Sequence, residues 1–396
     1  MLNWLRSPAA AIRAAFFVQS LCIGGFFSRL AEIQIGMHAS PAELGVGLLG
    51  FDIGAFLTFP FASQLITRIG TRNAMLYGMP LFALAIALAS IVPNVPAFFI
   101  VSMTIAATFT TTAIAMNVEA DRVEFATGRR IMNSCHGMWS LGFFASSIIG
   151  TAIVAANISP AWHLFGAVPV ETAAALLFLG SLRESPARPH SSDKPPARFV
   201  IPTAATLSII AFAVGSIWLE AAGRTWSVIY LRDVFLTPNW LATIALPVYV
   251  GAQVVGRLLA DGWIERFGPV RVAAVLSAVS FVGVALLVFG PNLWFAIVGF
   301  VLVGVGVATA FPQAVSAAAR LGDRPASENV AAIQMMNSFV LFLAPPVMGF
   351  TATQWGLRTS FALILPLLLL AVVLSRNLAE RPADGAPAPL PTAAGD

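Results

Sequence analysis

The stretch running from Ser40-Pro41 to Arg68-Ile69-Gly70-Thr71-Arg72 returns in the second half of the chain as Thr237-Pro238 to Arg266-Phe267-Gly268-Pro269-Val270-Arg271. Each copy has a turn dipeptide, an apolar run of roughly 25 residues and a basic turn of the form R-x-G-x-x-R or a close variant, and such a run crosses a bilayer with some tilt. The repeat limits the chain to a duplicated membrane protein. Composition agrees: 58% of residues are hydrophobic and 10% charged, with a mean hydropathy of +0.85, too apolar for a water-soluble fold of this length.

In hydrocarbon the backbone must satisfy its own donors and acceptors, which leaves helix bundles and closed barrels. Continuous apolar runs select helices. Breaks at Pro, Gly and charge clusters give twelve spans, at 11–35, 42–66, 73–92, 96–121, 131–155, 161–182, 202–231, 239–264, 271–289, 293–319, 327–353 and 357–379. The expected fold class is all-α integral membrane, twelve transmembrane helices in two pseudo-symmetric six-helix bundles, 1–182 and 201–380. Between them, 183–200 holds Pro186, Pro189, Lys194, Pro195 and Pro196 with little apolar content and predicts a solvated cytoplasmic linker. The Ala/Pro-rich tail 381–396 is expected to be disordered.

Basic residues are retained in cytoplasmic loops. With both termini cytoplasmic, 17 of the 22 Lys and Arg residues fall inside, only Arg232 and Arg358 fall outside, and Arg29, Arg224 and Arg257 lie within spans. The net charge of +4 does not point to nucleic acid, because the basic residues sit at single turns and not on one face. Arg6 and Arg13 precede an apolar run that continues to about Ile35 without a small-residue cleavage site, which predicts an uncleaved first helix. Cys22 and Cys135 both lie in spans and imply neither a disulfide framework nor a metal cluster. No metal or cofactor is expected.

Twelve spans in two halves, with a basic turn after the second span of each, resemble the major facilitator superfamily of transporters over about residues 10–380. Asp261-Gly-Trp-Ile-Glu265-Arg266-Phe-Gly268-Pro-Val-Arg271 is similar to that superfamily's G-x-L-x-D-R-x-G-R-R signature, with Glu265 at the acidic position. The first copy keeps Arg68, Gly70 and Arg72 but has Thr67 where the acid belongs. Asn117-Val118-Glu119, the run Asn133-Ser-Cys-His136-Gly137-Met-Trp139-Ser140-Leu-Gly142, and Ala344-Pro345-Pro346-Val-Met-Gly349 resemble the branch of fucose permease and the rhizopine-related bacterial inner-membrane proteins. The fifth span lacks the G-x-x-x-G-P-x-x-G-G pattern of drug/proton antiporters, which disfavours efflux. The resemblance implies a multi-pass protein of the bacterial inner membrane, a monomer without enzymatic activity, with a small-molecule substrate, protons and the lipid bilayer as partners.

An ionisable side chain in the bilayer needs a partner, a water-filled cavity or a function. Arg29 and Glu32 are three apart, Glu220 and Arg224 four apart, and Arg257 and Asp261 four apart, so each pair can share a helical face. Either these pairs only neutralise one another for insertion, or the arginines orient a polar or anionic solute while Glu32 and Glu220 exchange protons. Asp52 has no local partner; it points opposite a small-residue stripe of Gly47, Gly50 and Gly54, suited to close helix packing, and is the leading proton-coupling candidate. Gating is expected from Arg68, Arg72, Glu119, Asp261, Glu265, Arg266 and Arg271, because an acid at such a turn can engage the positive end of a neighbouring helix; the plain alternative is that the arginines only set topology. Expected substrate contacts are Gln19, Arg29, Asn117, His136, Trp139, Trp218, Arg224, Tyr249, Gln253, Gln313 and Asn337, whose rings and amides suit a sugar, cyclitol or amino-sugar. A small organic anion and an exporter of drugs or metabolites are the alternative substrate readings. A solute sensor that does not transport is the alternative of another class.

Overall fold

The computed structural model describes residues 7–186 and 202–379. Most of the expected linker, and the tail 381–396, lie outside the described residues. The first half consists of α1 (Pro8–Gly36), α2 (Pro41–Ile69), α3 (Thr71–Ala89), α4 (Val95–Thr127), α5 (Met132–Ala155) and α6 (Pro160–Leu179). The second consists of α7 (Ala204–Phe235), α8 (Asn239–Ala242), α9 (Ala245–Phe267), α10 (Pro269–Phe289), α11 (Leu293–Val307), α12 (Ala310–Ala319), α13 (Ala326–Ala362) and α14 (Leu365–Leu374). There is no strand among the described residues.

Local sequence explains where these helices start and turn. Ser7, Ser40, Asn94, Ser159, Thr203 and Asn292 each cap a helix with a side-chain oxygen, and Glu43 completes a capping box with Ser40, supplying acceptors to orphan backbone N–H groups. The two repeated basic turns have one geometry. Gly70 (φ 84°, ψ 158°) ends α2 and begins α3, and Gly268 (φ 80°, ψ 155°) ends α9 and begins α10. That backbone region is accessible almost only to glycine, so the duplication is preserved at the position where no other residue fits.

Four of the expected continuous spans are interrupted or fused. The eighth is split into α8 and α9 by Thr243-Ile244, the tenth into α11 and α12 by Ala308-Thr309, and the eleventh and twelfth meet at Gly356 (φ 83°) within α13. The break in the tenth has a direct cause: Pro312 has no N–H, so the carbonyl four residues earlier, Ala308, loses its helical donor. α4 also continues six residues beyond the expected end at 121, to Thr127, which places Arg122 on the helix and not in the loop beyond it.

Packing follows the small residues. Gly47, Gly50 and Gly54 of α2 face α4, where a Cβ on Gly54 would come within 2.6 Å of the Met103 Cα, so this seam excludes any larger side chain. Between the halves, α2 lies against α13 in the same manner; a Cβ on Gly45 would stand 2.6 Å from the Pro345 carbonyl oxygen. The Ala42 N–H donates to Thr353 Oγ1 at 2.9 Å. Arg232 at the end of α7 donates to the Ala31 carbonyl at 2.7 Å and to Gln34 Oε1 at 2.9 Å on α1. These contacts close the end of the molecule where α1 passes into α2. At the opposite end, where α1 and α5 begin, the halves part and leave a cavity.

Candidate substrate cavity

The space between the halves has two chambers. The inner one, about 280 Å3, is lined by Phe27 of α1, Phe51 and Asp52 of α2, Phe109 of α4, Trp139 and Phe143 of α5, and Arg224 and Thr225 of α7. Asp52 faces it because the glycine stripe on the other side of α2 is committed to α4. The carboxyl of Asp52 and the guanidinium of Arg224 therefore reach one chamber from different halves. Trp139 stacks on Phe143 with ring centroids 5.6 Å apart and planes 25° apart, presenting a flat apolar wall.

The wider chamber, about 700 Å3, opens at the end opposite the α2–α13 seam. His136 and Ser140 on α5 form one side, Arg257 and Asp261 on α9 another, and Thr309, Gln313 and Arg320 a third. Gln313 donates to Thr309 Oγ1 at 2.8 Å, while its Oε1 has no partner. The broken tenth span supplies the site with backbone: the freed Ala308 carbonyl accepts from Arg257 Nε at 3.4 Å. Irregular backbone is tolerated at membrane depth where it lines a cavity.

Glu220 joins the chambers. Its Oε1 accepts from Arg257 at 3.1 Å and lies 3.9 Å from Arg224, so one carboxylate is shared by an arginine of each chamber. The expected pairing of Arg257 with Asp261 is not made; the guanidinium turns across to α7 instead, and Asp261 is left on the cavity wall. Among the charged side chains of this space, Asp52, Glu220 and Asp261 oppose Arg224, Arg257 and Arg320.

Other residues singled out in the sequence lie elsewhere. Arg29 is fully buried and its donors are used on His163 Nδ1 (3.0 Å), Glu32 (2.6 Å) and the Ile158 carbonyl (2.8 Å), so the Arg29–Glu32 pair holds α1 to the α5–α6 loop. Gln19 is buried and donates to Thr112 at 2.6 Å. Asn117 bonds its own helix at the Ala113 carbonyl. Tyr249 is fully buried against Gly223, with its hydroxyl on the Glu220 carbonyl at 3.3 Å. Gln253 is buried one turn before Arg257, Trp218 is half-buried in the second half's core, and Asn337 lies partly exposed on α13. The sequence reading passed over Thr309 and the Ala308 carbonyl, although Phe311-Pro312 signals the break that exposes them.

Comparison with known proteins places the fold. The description Major Facilitator Superfamily matches residues 235–394. The transporter y4wD of Sinorhizobium fredii is 29% identical over 91% of this chain and 95% of its own length. An MFS-type transporter of Yersinia pestis is 26% identical over 95% and 96%, and the membrane protein MosC of Rhizobium meliloti 22% over 90% and 86%. The crystal structure of the nucleoside transporter NupG superimposes with a TM-score of 0.71 at 15% identity, over 94% of this chain and 98% of NupG. The second half of the chain thus matches the major facilitator superfamily, and the chain along most of its length is similar to transporters of that kind. A bacterial homologue of the lysosomal transporter Spinster, solved in an inward-facing conformation, shares the fold with a TM-score of 0.71 at 12% identity.

The two basic turns differ in surroundings. On the first, Arg72 donates through its guanidinium to the carbonyls of Leu179 and Gly180, and its backbone N–H donates to Glu184 at 3.0 Å. Glu119, fully buried, accepts from Thr71 at 2.6 Å and from the Ser185 N–H at 2.7 Å. Arg122 lies 3.7 Å from Glu119 and 3.4 Å from Glu184. The negative group at the start of α3 is thus Glu184, from beyond α6, at the helix end whose turn carries Thr67. Arg68 stays exposed. On the second turn Glu265, Arg266 and Arg271 are exposed, with Arg266 lying 5.2 Å over the Phe267 ring.

Proposed function

We propose that this chain is a proton-coupled secondary transporter of the major facilitator kind that takes up a small polar solute, a sugar, cyclitol or amino-sugar, across the bacterial inner membrane. It works as a monomer with both termini cytoplasmic, and its halves rock about the central cavity in alternating access. The observation that carries this reading is the inner chamber, where Asp52 and Arg224 approach from opposite halves beside the Trp139 and Phe143 rings. A solute held there touches both halves at once, so its binding depends on how they are arranged. A ligand shifts a conformational equilibrium only by such differential affinity.

Each wall has a role in this scheme. The aromatic rings take the apolar face of a ring solute; Ser140 and Thr309 take its hydroxyls. Asp52 has no hydrogen bond or ion pair among the described residues and is free to exchange a proton with whatever enters. The balance of three acids against three arginines suits a solute without net charge. A small organic anion is the second reading, favoured by one feature: Arg224 and Arg257 share the single carboxylate of Glu220, which answers only one of their two charges. The nucleoside named for NupG belongs in the same screen as a polar ring solute.

A thermal-shift screen of these classes identifies the solute, since a ligand at 100 times its Kd stabilises by about 2.7 kcal/mol. In proteoliposomes a pH gradient then drives its accumulation by the wild type. Asp52→Asn is expected to abolish that accumulation and keep solute exchange. Unaltered accumulation would transfer the proton role to Glu32, Glu119 or Glu220.

A further inference from the structure

On the outer face of the first half, away from the transport cavity, α1, α5 and α6 enclose a pocket of about 400 Å3. Leu21, Ile149, Ile153, Trp162 and Val170 form its walls. Ile149, Trp162 and Val170 are exposed at its mouth, so in a membrane-spanning chain it opens toward lipid. At its floor lies Glu171, near the middle of α6 and only 2% exposed. The Cys22 thiol donates to Glu171 Oε2 at 3.1 Å, and Oε1 has no hydrogen-bond partner.

Glu171 has no ion pair with an arginine or lysine among the described residues. Arg29, which touches the pocket's His163, has its guanidinium engaged by His163 Nδ1, Glu32 and the Ile158 carbonyl. An acidic group at membrane depth, walled by hydrocarbon and lacking a cation, is an incomplete interaction. The missing partner is a hydrogen-bond donor carrying positive charge, and the walls require the rest of that partner to be apolar. A volume of this size accommodates a ligand of ordinary small-molecule dimensions.

We propose that this pocket is a second binding site, separate from the transport cavity, that receives a lipophilic amine from the bilayer. The protonated amine donates to Glu171 Oε1, and its hydrocarbon lies along Leu21, Ile153 and Val170. Entry is lateral, because a long alkyl chain partitions into the membrane before it reaches the protein. The Cys22 thiol holds the other carboxylate oxygen and fixes the direction in which Oε1 points.

The test uses the full chain in phosphatidylcholine nanodiscs and two photoreactive probes of equal length, a diazirine-bearing dodecylamine and the corresponding dodecanol. Cross-linked peptides are mapped by mass spectrometry. The amine is expected to label the pocket segments of α1, α5 and α6 in preference to the alcohol. Glu171→Gln should lower that labelling by at least about tenfold, as loss of a buried charge partner does. Gly166→Leu obstructs the pocket without touching the carboxyl, since a Cβ at Gly166 meets open space, and should also abolish labelling; it decides the matter if Glu171→Gln does not fold. Equal labelling by amine and alcohol would overturn the proposal and leave an apolar crevice filled by lipid. So would amine labelling that survives either substitution.

Discussion

Asp323 closes a hydrogen-bond circuit at the mouth of the second half. Thr203, the residue that caps α7, donates to its Oδ2 at 2.9 Å, and Asn329 of α13 donates to its Oδ1 at 2.7 Å. The Asn329 bond first, and then that of Thr203 and the nearby Arg324 charge, hold the Asp323 carboxyl below its ordinary value. A depressed carboxylate contributes stability that is present above its unfolded pKa of about 3.9 and is lost as the pH falls through the lowered folded value. The wild type should therefore lose more Tm than Asp323→Asn when the pH is taken from 7 to 3 in detergent; parallel curves would show that the circuit contributes nothing. The same scale shows what spacing can and cannot predict. Asp52 was recognisable because its own helix offers it no partner. Glu220 was paired correctly with Arg224 but incompletely, since its nearer partner, Arg257, comes from another helix, and sequence distance gives no information on which helix lies opposite. Arg29, Gln19 and Tyr249 have the same chemistry as the cavity residues, and what separates the two groups is that these three line neither chamber.

The decisive element is the broken tenth span. Apolar residues continue from α11 through α12, so hydropathy reads one helix; the proline is what opens the Ala308 carbonyl to Arg257. Restoring the donor with Pro312→Ala should join α11 to α12 and raise thermal stability, by less than the roughly 3 kcal/mol that proline costs in a helix interior. The gain should come with a loss of function, because Arg257 surrenders an acceptor that fixes it beside Glu220. Solute affinity measured by thermal shift or binding is expected to fall by up to about tenfold. A variant that is more stable and binds equally well would show the break to be incidental. The repeated glycine turns were readable at the same level, and for a physical reason: Gly70 and Gly268 adopt a backbone conformation that only glycine enters readily, so sequence and geometry coincide there.

Across the whole molecule, the repeated glycine turns, the all-helical membrane class and the apolar surface were all legible, because bilayer thickness and backbone hydrogen bonding leave few alternatives. Which end is shut was not, since that depends on contacts between halves that are distant in sequence. Arg232 is the strongest of these contacts in charge, and Gly349 against Pro41 in proximity. Replacing Arg232 with Ala should free α7 from α1 and raise the rate at which an impermeant maleimide labels Ala352→Cys beside the seam, on the order of tenfold for a loss of about 1.4 kcal/mol. An unchanged rate would leave closure to the α2–α13 packing. Alternating access itself is tested most directly by counterflow. Proteoliposomes are loaded with the unlabelled solute selected by the thermal-shift screen and diluted into a trace of its labelled form. A carrier whose site faces one side and then the other should accumulate label transiently above equilibrium, and Asp52→Asn should do so too. Binding of that solute without any overshoot would contradict a carrier and leave a protein that senses the solute in place.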